Sequence, residues 1–113
     1  MRALLVEDEV LIALLIEDML RELGHEVVVT ATGLAEAIDY AGRIAVDFAV
    51  LDVNLHGQNS APVAERLKAR GIPFVFATGY GRDGIEPAFR DRMVLTKPFA
   101  RLDLAAAIER QFQ

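Results

Sequence analysis

The chain has 113 residues, 53% of them apolar, which is enough for one domain with a single buried core. Its net charge of −5 comes without a run of basic residues, so we expect it not to bind nucleic acid. It has no cysteine, which excludes disulfides and thiolate metal sites. The apolar run at residues 10–16 is too short to cross a bilayer, and we expect no membrane contact and a cytoplasmic location.

Five short runs rich in Val, Leu, Ile and Phe predict β-strands. They cover residues 3–6, 27–31, 48–51, 74–77 and 93–95. Segments with helical spacing of apolar residues lie between and after them, at residues 10–23, 34–43, 61–70 and 102–112. Gly24 and Gly71 follow two of these segments directly and predict where those helices end.

Strands and helices alternate along the chain, which predicts crossover connections and a parallel sheet with helices on both faces. The strands are continuous apolar runs, as expected for a sheet that is buried on both sides. We therefore expect a doubly wound five-stranded α/β fold. Gly84 and Pro87 interrupt residues 82–92, so a fourth helix there should be short or frayed. Residues 1–113 should form a single domain with no output domain.

Polar residues follow four of the predicted strands at the point where each strand ends. In strand order they are Glu7, Asp8 and Glu9, then Asp52 and Asn54, then Thr78, and finally Lys97. In an open parallel sheet, ligands bind outside the carboxyl ends of the strands. We therefore expect carboxylates, a hydroxyl and an ammonium to converge on one edge of the sheet.

Each of these residues also has an ordinary explanation when taken alone. Asp8 or Glu9 could cap the following helix, and Asp52 could begin a turn. Thr78 could be a plain strand end, and Lys97 a solvated lysine. The conjunction of complementary groups at four strand ends favours a shared site over four separate coincidences.

The chemistry of such a site follows from its charges. Clustered carboxylates repel one another unless a cation compensates, and carboxylate oxygens suit Mg²⁺, with Mn²⁺ as an alternative. A carboxylate such as Asp52 can then attack a phosphoryl group while the metal, Thr78 and Lys97 neutralise charge on the phosphoryl oxygens. The predicted product is an aspartyl phosphate.

The polar strand ends belong to motifs that resemble a known family. Residues 4–9 (LLVEDE), residues 51–55 (LDVNL), Thr78 and residues 97–99 (KPF) are similar, in order and spacing, to the receiver domain of two-component response regulators. The resemblance implies a flavodoxin-like sheet in the order 2-1-3-4-5. It also implies a phosphoacceptor that assists its own phosphorylation and dephosphorylation, rather than an enzyme that acts on a separate substrate.

The resemblance also implies roles for individual residues. Asp52 would accept a phosphoryl group from the phosphohistidine of a histidine kinase or a phosphotransfer protein. Thr78 and Lys97 would bind the phosphoryl oxygens. The metal ligands would be Glu7, Asp8, Asp52 and the backbone carbonyl of Asn54.

Two positions depart from the usual receiver pattern. Val94 stands where most receivers carry a switch aromatic, three residues before the lysine. His56 precedes Gly57 where proline is common, which we interpret as tolerated variation.

Residues 73–81 (PFVFATGYG) are similar to the signature of the atypical "FAT GUY" receiver subfamily, which is associated with kinases of the HWE and related classes. In this interpretation Thr78 is the switch threonine, and Tyr80, two residues later, replaces the missing switch aromatic. Phosphorylation of Asp52 would draw Thr78 toward the phosphate and reorder residues 82–92. The alternative is that Tyr80 simply packs at the edge of the sheet.

Signalling would then pass through contacts with a downstream protein, or the domain would serve as a phosphate sink, as a monomer or weak dimer. The first helix is a candidate docking surface because its apolar residues cover more than one core-facing stripe. These residues are Leu11, Ile12, Leu14, Leu15 and Ile16. The alternative is that all of them pack internally.

Two other functions remain open from the sequence. One is a small phosphatase with an Asp nucleophile, although Asn54 stands where such enzymes carry a second carboxylate. The other is a protein-binding module that is never phosphorylated.

Overall fold

The structure is a computed structural model, and it describes residues 1–79 and 84–112. Strands and helices alternate through most of the chain. In chain order the elements are β1 (Arg2–Val6), α1 (Val10–Glu22), β2 (Glu26–Ala31), α2 (Leu34–Arg43), β3 (Phe48–Asp52), β4 (Asn54–Leu55), β5 (Gln58–Asn59), α3 (Ala61–Ala69), β6 (Phe74–Thr78), a 3₁₀ turn (Pro87–Phe89), β7 (Val94–Thr96) and α4 (Arg101–Arg110).

Five of the strands form one parallel sheet in the order β2-β1-β3-β6-β7. Counting the strands of this sheet alone, the order is 2-1-3-4-5, so the predicted flavodoxin-like fold is confirmed. The order reverses between β1 and β3, which places a crevice at the carboxyl ends of these two neighbouring strands.

The sheet separates two apolar cores, because successive side chains of a strand point to opposite faces. Leu4, Val6, Ala49 and Leu51 pack against α2 and α3. Ala3, Leu5, Phe48, Val50, Val75 and Ala77 pack against α1 and α4. Burial on both faces explains why the strands are continuous apolar runs in the sequence.

The predicted helix ends at Gly24 and Gly71 agree with the backbone. Gly24 has φ +89 and Gly71 has φ +70, the left-handed conformation that glycine adopts without a steric penalty. Each glycine lies within two residues of the end of its helix, α1 or α3. The last helix is shorter than predicted, since it ends at Arg110 and leaves Phe112 beyond it.

Two short elements, a 3₁₀ turn and a hairpin, lie outside the five-stranded sheet and its α-helices. In the described residues 84–92, the helical element is the single 3₁₀ turn, in agreement with a short element at that place. The strands β4 and β5 form an antiparallel hairpin that the apolar pattern did not predict. Its turn residues His56 and Gly57 have φ +52 and +84, as in the type I′ turns that connect two-residue hairpins.

Within the described ranges, no helix combines the length and the apolar character needed to cross a membrane.

Candidate functional site

The predicted polar residues meet at the carboxyl edge of the sheet. Glu7 directly follows β1, Asp52 is the last residue of β3, Thr78 is the last residue of β6, and Lys97 directly follows β7. Both Asp52 and Thr78 are still part of the backbone ladder, which fixes their positions more firmly than a loop would.

Lys97 connects the first and third strands through two ion pairs. Its Nζ atom lies 2.7 Å from Oε2 of Glu7 and 3.2 Å from Oδ2 of Asp52. The backbone N–H of Lys97 donates to the carbonyl of Thr78 at 2.8 Å, which places this lysine at the end of β6. The peptide bond between Lys97 and Pro98 is cis. One ammonium thus forms ion pairs with two carboxylates from different strands.

Burial raises the free-energy cost of keeping these side chains charged. Glu7 is 1% exposed and Asp52 is 8% exposed. Burial raises the pKa of Glu7 to about 7, although the hydrogen bond from Lys97 opposes the shift. Burial alone would lower the pKa of Lys97, but the hydrogen bond to Glu7 and the charges of Asp52 and Glu7 together raise it. A proton or a further cation is therefore favoured at Glu7.

Asp8 completes the acidic group from the loop after β1. Glu7, Asp8 and Asp52 each offer a carboxylate oxygen, and the three oxygens lie within 4.8 Å of one another. Oδ2 of Asp8 accepts the backbone N–H of His56 at 2.9 Å. The His56 imidazole is exposed, with Nδ1 3.8 Å from the same oxygen. The hairpin turn therefore holds Asp8 beside Asp52.

Asp8 and Asp52 face a cleft of about 430 Å³, which is lined by Asp8, Glu9, Ile12, Asp52, Asn54, Gly79 and Lys97. Three carboxylates at this spacing match the donor set that Mg²⁺ uses, since this ion binds a few carboxylates and keeps water in its remaining positions. The residues present therefore fit the divalent ion that the sequence predicts.

The remaining residues that the sequence singled out are Asn54, Thr78, Tyr80 and Val94. Asn54 lines the cleft, and its backbone N–H donates to Oδ1 of Asp52 at 3.2 Å. Thr78 is 2% exposed and directly precedes Gly79, which lines the cleft. Tyr80, the predicted switch aromatic, lies outside the described residues. Val94 is a half-buried residue of β7 that packs against the core on the side of α2 and α3.

The capping and turn explanations for the acidic residues agree with the structure to different extents. Glu9 occupies the N-cap position of α1, but its side chain makes no capping hydrogen bond. Asp8 directs Oδ2 to the hairpin. Asp52 does form the turn-like contact to the N–H of Asn54 that the turn explanation requires, and the same carboxylate also pairs with Lys97.

The hairpin is the part of the site that the sequence interpretation missed. His56 supplies a backbone donor to Asp8, which a proline at this position could not do because proline has no N–H. Gly57 donates to the side-chain Oδ1 of Asn54 at 2.8 Å. The signal in the sequence was the pair His56–Gly57 between two asparagines, a pattern typical of a tight turn.

Comparison with known proteins places this geometry in a family. The family model described as "Response regulator receiver domain" matches residues 3–109. The transcriptional regulatory protein PdtaR of Mycobacterium tuberculosis is 33% identical over 112 residues, which cover 96% of this chain and 55% of PdtaR. The chain thus spans about half the length of this curated relative.

Two solved structures show the same fold. The solution structure of SdrG from Sphingomonas melonis Fr1 has a TM-score of 0.89 and 46% identity, covering 99% of this chain and 96% of SdrG. The receiver domain of the sensor histidine kinase PA1611 from Pseudomonas aeruginosa PAO1 has a TM-score of 0.79 and 26% identity, covering 97% and 95%. That crystal structure has a magnesium ion coordinated in its active-site cleft. With its fold, its acidic cleft and a family match over nearly its whole length, the chain belongs to the response regulator receiver domain family.

Proposed function

We propose that Asp52 accepts a phosphoryl group from a phosphohistidine in a Mg²⁺-dependent reaction. The observation that carries this proposal is the position of Lys97 Nζ, 3.2 Å from Oδ2 of Asp52, beside the group of three carboxylates. This ammonium lies beside the carboxylate that would attack phosphorus, where it can also bind the phosphoryl oxygens.

In the proposed transfer, an Asp52 carboxylate oxygen forms a bond to phosphorus as the bond from phosphorus to the donor nitrogen breaks. The electron pair of the broken bond stays on the histidine ring of the donor. Lys97 and the hydroxyl of Thr78 bind phosphoryl oxygens and stabilise the charge that they carry in the transition state. Mg²⁺ held by Glu7, Asp8, Asp52 and the Asn54 carbonyl would supply further positive charge next to those oxygens.

The switch is the second part of the proposal. The sequence PFVFATGYG supports a receiver of the FAT GUY type, in which Thr78 moves toward the phosphate and Tyr80 responds. Val94 supports this assignment, since it leaves β7 without the aromatic residue that most receivers use. The segment after Gly79 would then rearrange between the two states.

A histidine kinase, of the HWE or a related class, is the proposed phosphoryl donor, and a phosphotransfer protein is the alternative donor. The exposed apolar residues of α1 support this helix as the docking surface, since Leu11, Leu14 and Leu15 are 77%, 51% and 59% exposed. The earlier alternative, that all apolar residues of α1 pack internally, is wrong for these three. The output would be a contact with a second protein or the removal of phosphate from the kinase.

The deciding experiment is incubation with acetyl phosphate and Mg²⁺ followed by intact-mass measurement. We expect an adduct of about 80 Da, the mass of one HPO₃ group, on the wild type and none on Asp52→Ala. The exposed carboxylate Asp91 provides a matched control, because Asp91→Ala should be modified like the wild type. Loss of the adduct when Mg²⁺ is chelated would support the metal requirement. A wild type without any adduct would instead favour a binding module that is not phosphorylated.

A further inference from the structure

We infer that Asn59 is a positioning residue that couples the acidic cleft to the segment formed by residues 84–90. This inference rests on the proposed function, because the coupling is set by the state of Asp52. Asn59 is the last residue of β5 and lies on the exposed side of the hairpin. Its side-chain hydrogen bonds join Gly84 and Ala61, both outside the acidic group, so it would act through the hairpin.

The contact that defines this role joins Asn59 to Gly84. Nδ2 of Asn59 donates to the carbonyl of Gly84 at 2.8 Å, across 25 residues of sequence. Oδ1 of the same side chain accepts the N–H of Ala61 at 2.8 Å, at the start of α3. Both ends of the amide are therefore engaged, which fixes the orientation of the side chain and directs its donor to the segment.

Packing supports the same contact between hairpin and segment. A Cβ atom built on Gly84 would lie 3.1 Å from Cγ1 of Val53, so the backbone of the segment closely approaches the residue after Asp52. Ile85 and Phe89 are buried in the core that also contains Val53 and Leu55. Arg90 closes the segment internally, with Nε donating to the carbonyl of Ile85 at 3.2 Å.

The other end of the hairpin is tied to the carboxylates. The N–H of Asn54 donates to Oδ1 of Asp52 at 3.2 Å, and the N–H of His56 donates to Oδ2 of Asp8 at 2.9 Å. Asn54 is paired with Asn59 across the hairpin. This pair is joined by the hairpin backbone and not by its own hydrogen bonds, because the adjacent ladder bond runs from the N–H of Ser60 to the carbonyl of Val53 at 2.9 Å. The hairpin therefore links the hydrogen bond at Asp52 to the hydrogen bond at Gly84.

Phosphorylation would weaken the first of these hydrogen bonds. Oδ1 of Asp52 accepts from Asn54, and Oδ2 accepts from Lys97. Conversion of the carboxylate to an acyl phosphate removes its charge, and hydrogen bonds to charged acceptors are about twice as strong as neutral ones. Mg²⁺, which would hold the Asn54 carbonyl, is bound before and after the transfer, so the weakened hydrogen bond is the difference between the two states. The hairpin is then held less firmly on the side of Asp52, and the bond from Asn59 to Gly84 loosens with it. The segment at residues 84–90 opens more often in the phosphorylated state.

Two substitutions separate this coupling from the role of Asn59 in starting α3. Asn59→Ser and Asn59→Asp both retain an oxygen that can accept the N–H of Ala61. Neither can donate to Gly84, because serine is too short and aspartate has no donor. Agreement between the two variants excludes an effect of the added charge. Gln58→Ala, at the exposed neighbouring residue of β5, is the matched control.

The measurement is amide hydrogen exchange over residues 84–90 in the presence of Mg²⁺, with and without beryllofluoride, which imitates the phosphoryl group on Asp52. In the wild type and in Gln58→Ala, beryllofluoride should speed exchange in this segment. In both Asn59 variants, exchange should already be roughly two- to tenfold faster without ligand, the range expected for loss of one hydrogen bond. Beryllofluoride should then add little, although the variants remain phosphorylated by acetyl phosphate.

Four results would overturn the inference in distinguishable ways. Unchanged exchange in the ligand-free Asn59 variants would show that Asn59 does not hold the segment. Faster exchange in the Asn59 variants, with a full response to beryllofluoride, would show that Asn59 holds the segment but does not couple the segment to Asp52. A wild type that is phosphorylated on Asp52 but shows no response in residues 84–90 would refute the coupling alone. A wild type that is not phosphorylated would refute the proposed function as well.

Discussion

Nζ of Lys97 lies 2.7 Å from Oε2 of Glu7, a side chain that is almost completely buried. The two residues are 90 positions apart in the sequence, and this ion pair joins the end of β7 to the end of β1. The same ammonium also serves Asp52. Without it, two buried carboxylates from neighbouring strands would face each other with no positive charge between them.

We predict that Lys97→Met destabilises the protein in a pH-dependent way. Removing one partner of a buried ion pair costs roughly 3 kcal/mol in the free energy of unfolding, and this cost should appear at pH 8. At pH 5 the cost should be smaller, because Glu7, with a pKa of about 7, is then protonated. Urea unfolding at the two pH values measures both effects.

The other lysine of the chain provides the control for this experiment. Lys68 is exposed and its Nζ lies 5.7 Å from the centre of the Phe89 ring, a contact of small energetic value. Lys68→Met should therefore change stability by less than about 1 kcal/mol at either pH. Equal stability of the two variants at pH 8 would contradict the importance that we assign to Lys97.

A second prediction concerns the contribution of Glu7 to stability without metal. The pKa of Glu7 in the folded protein is raised from 4.5 to about 7, so the folded state binds a proton more tightly than the unfolded state. The resulting stabilisation is complete below pH 4.5 and is lost as the pH rises through 7. Between pH 5 and pH 8 the loss should amount to roughly 2 kcal/mol.

The comparison that isolates this contribution is wild type against Glu7→Gln, unfolded with urea in the presence of a chelator. The difference in free energy of unfolding, wild type minus variant, should fall as the pH rises from 5 to 8. All other titrating groups are common to both proteins and largely cancel. A difference that stays level or rises over this range would show that Glu7 is ionised throughout.

A third prediction links the same proton to metal binding. A carboxylate must lose its proton to bind a cation, so the apparent affinity for Mg²⁺ should rise with pH up to about 7 and then level off. The affinity at pH 6 should be roughly tenfold lower than at pH 8. An NMR titration that follows the amides of Asp8 and Asn54 would measure it. In Glu7→Gln the affinity should be lower and nearly independent of pH, and a variant that keeps the wild-type slope would contradict the assignment of that proton to Glu7.

How far the sequence could predict this site depends on the kind of residue. Asp52 and Thr78 were recognisable because each ends an apolar run, and the parallel order then brings such ends together. The strands extend one residue further than their apolar runs, since backbone pairing continues through both polar residues. The sequence predicted only that Glu7 and Lys97 lie at the same edge of the sheet. It could not predict that they form an ion pair, because side-chain distances depend on packing that periodicity does not describe.

The hairpin and the first helix show where sequence patterns were insufficient. Residues 54–59 are mostly polar, and two-residue strands are too short to produce an alternating pattern. In α1, apolar residues occupy nearly the whole circumference, so the sequence could not decide which of them are buried. In the structure, Ala13, Ile16 and Leu20 are its buried residues, and this narrow stripe leaves the other leucines exposed.

The last prediction concerns docking of the histidine kinase on α1. Leu14 and Leu15 are exposed, and near Leu15 an apolar groove of about 300 Å³ is formed with Pro98 and Phe99 beside Lys97. A partner helix placed here would bring its phosphohistidine close to the cleft. Burying one leucine contributes about 1.5–3 kcal/mol, so Leu14→Glu and Leu15→Glu should each slow phosphotransfer from a kinase about tenfold or more.

Two comparisons make this test specific for docking. Acetyl phosphate needs no docking surface, so both leucine variants should acquire phosphate from it at the wild-type rate. Ala69→Glu adds the same charge to an exposed position of α3, on the other side of the sheet, and should leave both reactions unchanged. The rates are measured with any histidine kinase that phosphorylates the wild type. If both leucine variants received phosphate from that kinase as fast as Ala69→Glu does, the kinase would have to approach the cleft from another surface.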